Sequence, residues 1–195
     1  LFFLADVQGH GVPAALASFH IHHRLSQLAP DTPAALSQAI SDLNREIEGQ
    51  QSESYATLIC GLLFPQSGEG WIICAGHLPP FIMHLDDVAP MVLEGAFPLG
   101  WFPDANFDPM PFQLPPGDRL ILYSDGVTEC CDAQGTMLEQ SGLRVLLAAA
   151  KSYPIDQMVQ QIDAALRTRH GPAGLEDDIS LLALEISTNQ MQGTA

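Results

Sequence analysis

Basic residues are scarce: 7 Lys and Arg stand against 23 Asp and Glu in 195 residues, a formal charge of −16. Nucleic-acid binding through a basic surface is thereby excluded, because phosphate contacts need clustered Lys and Arg. Docking on an anionic leaflet is disfavoured for the same reason. No apolar run approaches the roughly 20 residues of a membrane span, and the apolar start Leu1–Ala5 has no basic flank of a signal peptide. The four cysteines, Cys60, Cys74, Cys130 and Cys131, show no CxxC spacing, which suits neither zinc nor a disulfide framework and is in line with a reducing cytoplasm. The acids are dispersed, and 47% of residues are hydrophobic, so disorder is not expected. That leaves one sizeable core, with the acidity serving solubility or holding cations.

Leu1–Asp6 reads as a strand already in progress, so the chain is expected to be a fragment of a longer protein. Tyr55–Phe64 is a β-rich run, Pro65–Gly70 a hairpin loop, and Trp71–Ala75 the partner strand. Phe81–His84, Met91–Leu93, Arg119–Tyr123 and Ile179–Ile186 complete the expected strands. Their short, hairpin-linked order favours antiparallel sheets. A helix is expected from Pro13 to about Leu28, with Leu16, Phe19 and His23 on one face. Thr32-Pro33 is a cap-plus-first-turn signature for a second, striped by Leu36, Ile40, Leu43 and Ile47. Ser141–Lys151 and Ile155–Arg169 form a later pair, which Gly171–Gly174 ends. Residues 94–118 read as a structured connection. The expected class is α+β: packed antiparallel sheets covered by helices.

Three acidic positions stand at strand ends: Asp6 before Gln8-Gly9-His10-Gly11, Asp125 after Arg119–Tyr123, and Asp177-Asp178 before Ile179–Ile186. A carboxylate at a strand end is rigidly based, and its loop turns it toward solvent or ligand. Any one of these acids alone is as well explained as a turn Asp, and spacing does not show that they converge.

Four segments carry a resemblance. Asp6–Leu16 (DVQGHGVPAAL), Cys74–Pro80 (CAGHLPP), Tyr123–Glu129 (YSDGVTE) and Glu176–Leu181 (EDDISL) occur in this order, with Pro98-Leu99-Gly100 between the second and third. They resemble the DxxGHGxxAA, NAGHxPP, YTDGxTE and DDxT/S motifs and the PLG turn of the SpoIIE/RsbU-like bacterial branch of the PPM (type 2C) metal-dependent Ser/Thr phosphatases. The resemblance implies a β-sandwich of two antiparallel sheets flanked by helices. It assigns residues 1–186 to one phosphatase domain, while residues 187–195, without apolar periodicity, read as a flexible tail. It implies two Mn²⁺ or Mg²⁺ ions, with Asp6 bridging them, the Val7 carbonyl completing one shell, Asp125 and Asp177 as ligands and Asp178 adjacent. Catalysis would then rest on Asp6, Asp125 and Asp177, with the ions activating a water for in-line attack on phosphorus.

The same resemblance implies cytoplasmic dephosphorylation of a small regulatory protein, a STAS-type anti-sigma-factor antagonist. Control would come from an upstream sensory or receiver domain on the same chain, as in RssB-like response regulators, and a homodimer is a further expectation. The two helices after Asp6 are implied as a switch element. The family's other metal-binding Asp, in a Gly-Asp-Phe/Tyr motif one strand earlier, has no counterpart in these residues. An alternative therefore stays open: a phosphatase-like adaptor acting by protein–protein contact. A Ca²⁺ module is rejected because there is no DxDxDG loop. No Arg lies in a motif, and Arg119 sits at the far end of its strand. Among the histidines, His10 is read as buttressing the glycine loop and His77 as making a structural hydrogen bond. His20, His22 and His23 lack HExxH spacing and are read as solvent-facing or core.

Overall fold

A computed structural model describes residues 1–49, 55–170 and 177–187. The described chain divides into two compact units. The first comprises residues 1–78 and 92–113, the second residues 79–91 and 114 onward.

In the first unit, β1 (Phe2–Val7), β2 (Ala56–Leu63), β3 (Glu69–Ala75) and β6 (Met110–Gln113) form one antiparallel sheet in the order β1-β2-β3-β6. The β2–β3 hairpin falls where the alternation and the Pro65–Gly70 loop predict it. Two helices cover this sheet: α1 (Gly11–Ser26) and α2 (Pro33–Glu48). Thr32 caps α2, its hydroxyl accepting from the Ala35 N–H at 3.2 Å, and Pro33 fills the first turn, where its missing N–H costs nothing. The predicted stripe Leu36, Ile40, Leu43 and Ile47 is buried against Ala56, Leu58, Cys60, Leu62 and Ile73 of the sheet. Full burial of each such aliphatic side chain stabilises by about 1.5–3 kcal/mol.

Helix α1 departs from the expectation. Leu16, Phe19 and His23 share a face, but that face is exposed, and Ile21 and Leu25 enter the core instead. The sequence offers two apolar stripes on α1, and packing on α2 and the sheet selects the second. Glu46 of α2 fixes the choice by accepting from Arg24 at 2.8 Å and bonding His20 at 3.1 Å.

The second unit holds the other antiparallel sheet, ordered β5 (Val88–Pro90), β4 (Phe81–Met83), β7 (Arg119–Tyr123) and β8 (Leu181–Glu185). Between β7 and β8 come α3 (Asp125–Thr128), α4 (Glu139–Ala150) and α5 (Ile155–His170). Leu143 and Leu147 of α4 and Met158, Ile162 and Leu166 of α5 are buried. Arg119 ties the sheet to the α4–α5 turn: it pairs with Glu185 and donates to the Lys151 and Tyr153 carbonyls.

Both expected antiparallel sheets are thus present, each flanked by helices. Two local expectations are corrected. The strand expected at Met91–Leu93 lies at Val88–Pro90, where Asp87 ends the β4 turn and His84 N–H bonds its carbonyl at 2.8 Å. The connection 94–118 contains β6, which completes the first sheet beside β3 despite Pro111; as an edge strand it needs fewer donors. The helical turn α3 begins at Asp125. The helix end expected at Gly171–Gly174, together with Glu176 and the tail from 188, lies outside the described residues.

Candidate functional site

In the first unit, Asp6 is half-buried near the end of β1, opposite Thr57 of β2, and Val7 pairs with Ala56. The ladder continues one step further, Gln8 N–H donating to the Tyr55 carbonyl at 3.0 Å. Gly9 (φ +100°) and Gly11 (φ +78°) then turn the chain into α1. A Cβ at either would meet nothing within 4 Å, so it is the left-handed backbone, not space, that calls for glycine here. His10 between them is extended, exposed and makes no side-chain cap bond, so the expected buttress is not made through capping.

His77 behaves as expected. Its Nδ1 bonds the Thr57 hydroxyl at 2.7 Å, and its carbonyl accepts from the Cys74 thiol. Burial raises the Cys74 pKa, opposed by that bond to the His77 carbonyl. The adjoining Gly76 (φ +67°) lets the turn lie on the PLG segment, for a Cβ there would sit 2.4 Å from Pro98 Cγ. Gly76 and Ala96 bond by backbone at 2.8 Å, and Ala56 and Leu99 exchange bonds at 2.8 and 3.1 Å. Three motif segments far apart in sequence thus meet at Ala56–Thr57. Thr57 carries no sequence signal; counting register across from Asp6 is what would have found it.

In the second unit, Asp125 follows β7 and opens the single turn α3. One of its carboxylate oxygens accepts from the Gly126 N–H at 2.9 Å, and its carbonyl accepts from the Thr128 hydroxyl at 2.9 Å and the Glu129 N–H at 2.8 Å. Asp177 is held likewise, one oxygen accepting from the Asp178 N–H at 2.8 Å. The Asp125 and Asp177-Asp178 loops are locked together. Buried Ser124 donates through Oγ to the Asp178 carbonyl at 3.1 Å and accepts from the Ser180 N–H at 2.9 Å, while its own N–H bonds the Ser180 carbonyl at 3.0 Å. Gly126 closes the approach: a Cβ on it would lie 2.4 Å from the Asp178 carbonyl oxygen. The motif places a serine and a glycine beside Asp125, but their task of clamping a loop more than fifty residues away is visible only in three dimensions. Arg119 stands at the opposite end of β7 from this clamp, with its guanidinium engaged by Glu185 and two carbonyls.

Asp125, Asp177 and Asp178 are therefore brought together in one unit, while Asp6, Val7, His10 and His77 lie in the other. Among the described residues, no group of three or more His, Cys, Asp and Glu stands ready-made around a cation. The donor set of the second unit nevertheless fits a hard divalent ion. It is all oxygen, and a carboxylate that accepts one N–H keeps capacity for a cation. His20, His22 and His23 form no metal pair: His20 bonds Glu46, His22 meets the Phe3 ring edge-on and His23 stacks on Phe19.

Residues 1–187 match the family model of Stage II sporulation protein E (SpoIIE). The phosphoserine phosphatase RsbU of Bacillus subtilis (strain 168) is 32% identical over 184 residues, covering 93% of this chain and 54% of RsbU. The chain thus spans about half the length of that relative. Among solved structures, the RsbU and RsbW domains of Rv1364c from Mycobacterium tuberculosis align with a TM-score of 0.76 at 27% identity, covering 95% of this chain and 51% of that one. The catalytic domain of the serine/threonine protein phosphatase PstP, in complex with two manganese ions, has the same fold at 15% identity. Its TM-score is 0.71, with 95% of this chain and 86% of that one covered. Matched over almost its whole length, this chain belongs to the Stage II sporulation protein E (SpoIIE) family.

Proposed function

We propose that this chain is the phosphatase domain of a bacterial signalling protein, removing phosphate from phosphoserine or phosphothreonine of a small regulatory protein. One observation carries the reading: Ser124 and Gly126 lock the Asp125 loop onto the Asp177-Asp178 loop, so that two acid-bearing loops are held side by side, which solubility alone does not call for. The name of the relative RsbU, phosphoserine phosphatase, supports the reaction class.

Asp6 and the Val7 carbonyl in the first unit, and Asp125, Asp177 and Asp178 in the second, are proposed as ligands to Mn²⁺ or Mg²⁺. All-oxygen donors select these ions over zinc. When bound, such ions lower the pKa of water and offset the charge of a phosphoryl group. The chain's own residues position the donors. Asp6, Asp125 and Asp177 supply negative charge at strand ends, and the Ser124 clamp ties together the loops that carry two of them. With 23 acids against 7 bases, the protein by itself repels a phosphoprotein, and divalent ions would reverse that locally. The substrate is proposed to be a STAS-type anti-sigma-factor antagonist, and control to come from a sensory or receiver domain on the same polypeptide. The four free cysteines support a reducing cytoplasm, and among the described residues no helix is long and apolar enough to cross a membrane.

The test is phosphate release from phosphorylated protein by the full-length enzyme, with Mn²⁺, with EDTA and as Asp125→Asn. EDTA should abolish release. The substitution should lower kcat/KM by at least about a hundredfold, the upper end of effects seen for mere outer-sphere partners of a metal. Equal activity in wild type and variant, or none in the wild type, would overturn the enzyme and leave the adaptor.

A further inference from the structure

Residues 92–109 of the first unit turn large aromatic side chains outward. Phe97, Trp101 and Phe102 are 58%, 52% and 47% exposed. Their rings are gathered rather than scattered. Phe97 and Phe102 meet edge-on with centroids 4.7 Å apart, Trp101 stacks on Phe102 at 6.2 Å, and Tyr55 stacks on Trp101 at 5.1 Å and 7°. A contiguous exposed aromatic surface of this kind marks an interaction site more often than chance.

The loop is also held in shape. Fully buried Asn44 of α2 accepts from the Gly100 N–H at 2.8 Å and donates to the Phe102 carbonyl at 2.9 Å, bracketing Trp101. A polar side chain buried in an apolar stripe needs such partners, and both belong to the one loop whose rings face solvent. The aromatic groups are thus pre-organised, which reduces the ordering cost of binding.

Charge decides the partner. Residues 92–109 contain Glu94, Asp104 and Asp108, all exposed, and no Lys, Arg or His. The first unit's only basic side chains besides histidine are Arg24 and Arg45, ion-paired with Glu46 and Asp42. Aromatic faces and carboxylates both attract a guanidinium or ammonium. A second copy of this surface would set acid against acid, and phosphate-bearing polymers would be repelled. We propose that the aromatic loop is a docking surface for a basic segment of a partner protein. An arginine or lysine would lie over the ring faces, and a neighbouring apolar side chain would sit among them. The proposal does not depend on the chain being a phosphatase.

The experiment is fluorescence polarisation of a labelled peptide of alternating arginine and leucine, titrated with the full-length protein. Wild type should bind, and Phe97→Ser/Trp101→Ser should weaken binding at least about tenfold, as for loss of interface hot spots. Asp104→Asn/Asp108→Asn, isosteric changes at exposed positions, should weaken it about threefold and flatten its salt dependence. EDTA should leave binding unchanged, which separates this surface from the metal ligands. Equal affinity of the doubly substituted proteins, or of a peptide with glutamine in place of arginine, would overturn the proposal. So would self-association in ultracentrifugation, or pelleting with phosphatidylcholine vesicles, that is lost in Phe97→Ser/Trp101→Ser while the peptide is ignored.

Discussion

Ser124→Ala tests whether the clamp between the two acidic loops has a function beyond packing. The hydroxyl is buried and makes two bonds, to the Asp178 carbonyl at 3.1 Å and from the Ser180 N–H at 2.9 Å. Losing a net hydrogen bond costs about 1 kcal/mol, and leaving partly buried partners unpaired adds to it, for a total of roughly 1–2 kcal/mol. In urea that moves the midpoint down by about 1 M or less, with the slope unchanged. The backbone bond from Ser124 N–H to the Ser180 carbonyl remains, so β7 and β8 stay paired. What changes is the order of the Asp177-Asp178 loop before a cation arrives. Fixing the backbone of one residue on binding costs about 1–2 kcal/mol, and 1.4 kcal/mol is a factor of ten in affinity. Calorimetric titration should therefore show Mn²⁺ binding weakened by roughly five- to thirtyfold. Ser124→Thr, which keeps the hydroxyl, should restore it. If Ser124→Ala lowers stability as stated but Mn²⁺ affinity stays within about twofold, the clamp is packing only and the reasoning from pre-organisation is wrong.

Two further outcomes are expected. Asn44→Leu keeps the volume but strips the Gly100 N–H and the Phe102 carbonyl of their partner. A loss of about 2 kcal/mol follows, read by calorimetry as a fall in Tm of roughly 4–8 °C for a chain of this size; an unchanged Tm would show that the loop is fixed by other contacts. Burial raises the pKa of the Cys60, Cys74 and Cys130 thiols, so near neutral pH they stay protonated and unreactive, whereas Cys131 is half-exposed. Brief alkylation of the native protein should label Cys131 alone by mass spectrometry, with all four labelled in urea; early labelling of Cys60 would contradict the burial.

Local chemistry made much of this fold legible. Thr32-Pro33 and the 4, 3, 4 spacing of Leu36, Ile40, Leu43 and Ile47 define α2 because capping and helical period act within a few residues. The Pro65–Gly70 loop defines the β2–β3 hairpin for the same reason. The acids at strand ends, and the family they point to, were likewise readable from linear motifs. What the sequence hid depends on distant partners. Helix α1 has two apolar stripes, and only the pairing of Glu46 with Arg24 and His20 shows that Ile21 and Leu25 go inward. Residues 110–113 become a strand because the β3 edge is there to pair with them, although prolines at 109, 111, 115 and 116 argue locally for a connection. Thr57 matters through register with Asp6, and Asn44 through a loop 56 residues away. The residue types able to hold a divalent ion were thus determined by the sequence alone. The clamping of the Asp125 loop onto the Asp177-Asp178 loop was decided by tertiary structure, because a hydroxyl and a missing Cβ act only on whatever the fold brings into direct contact with them.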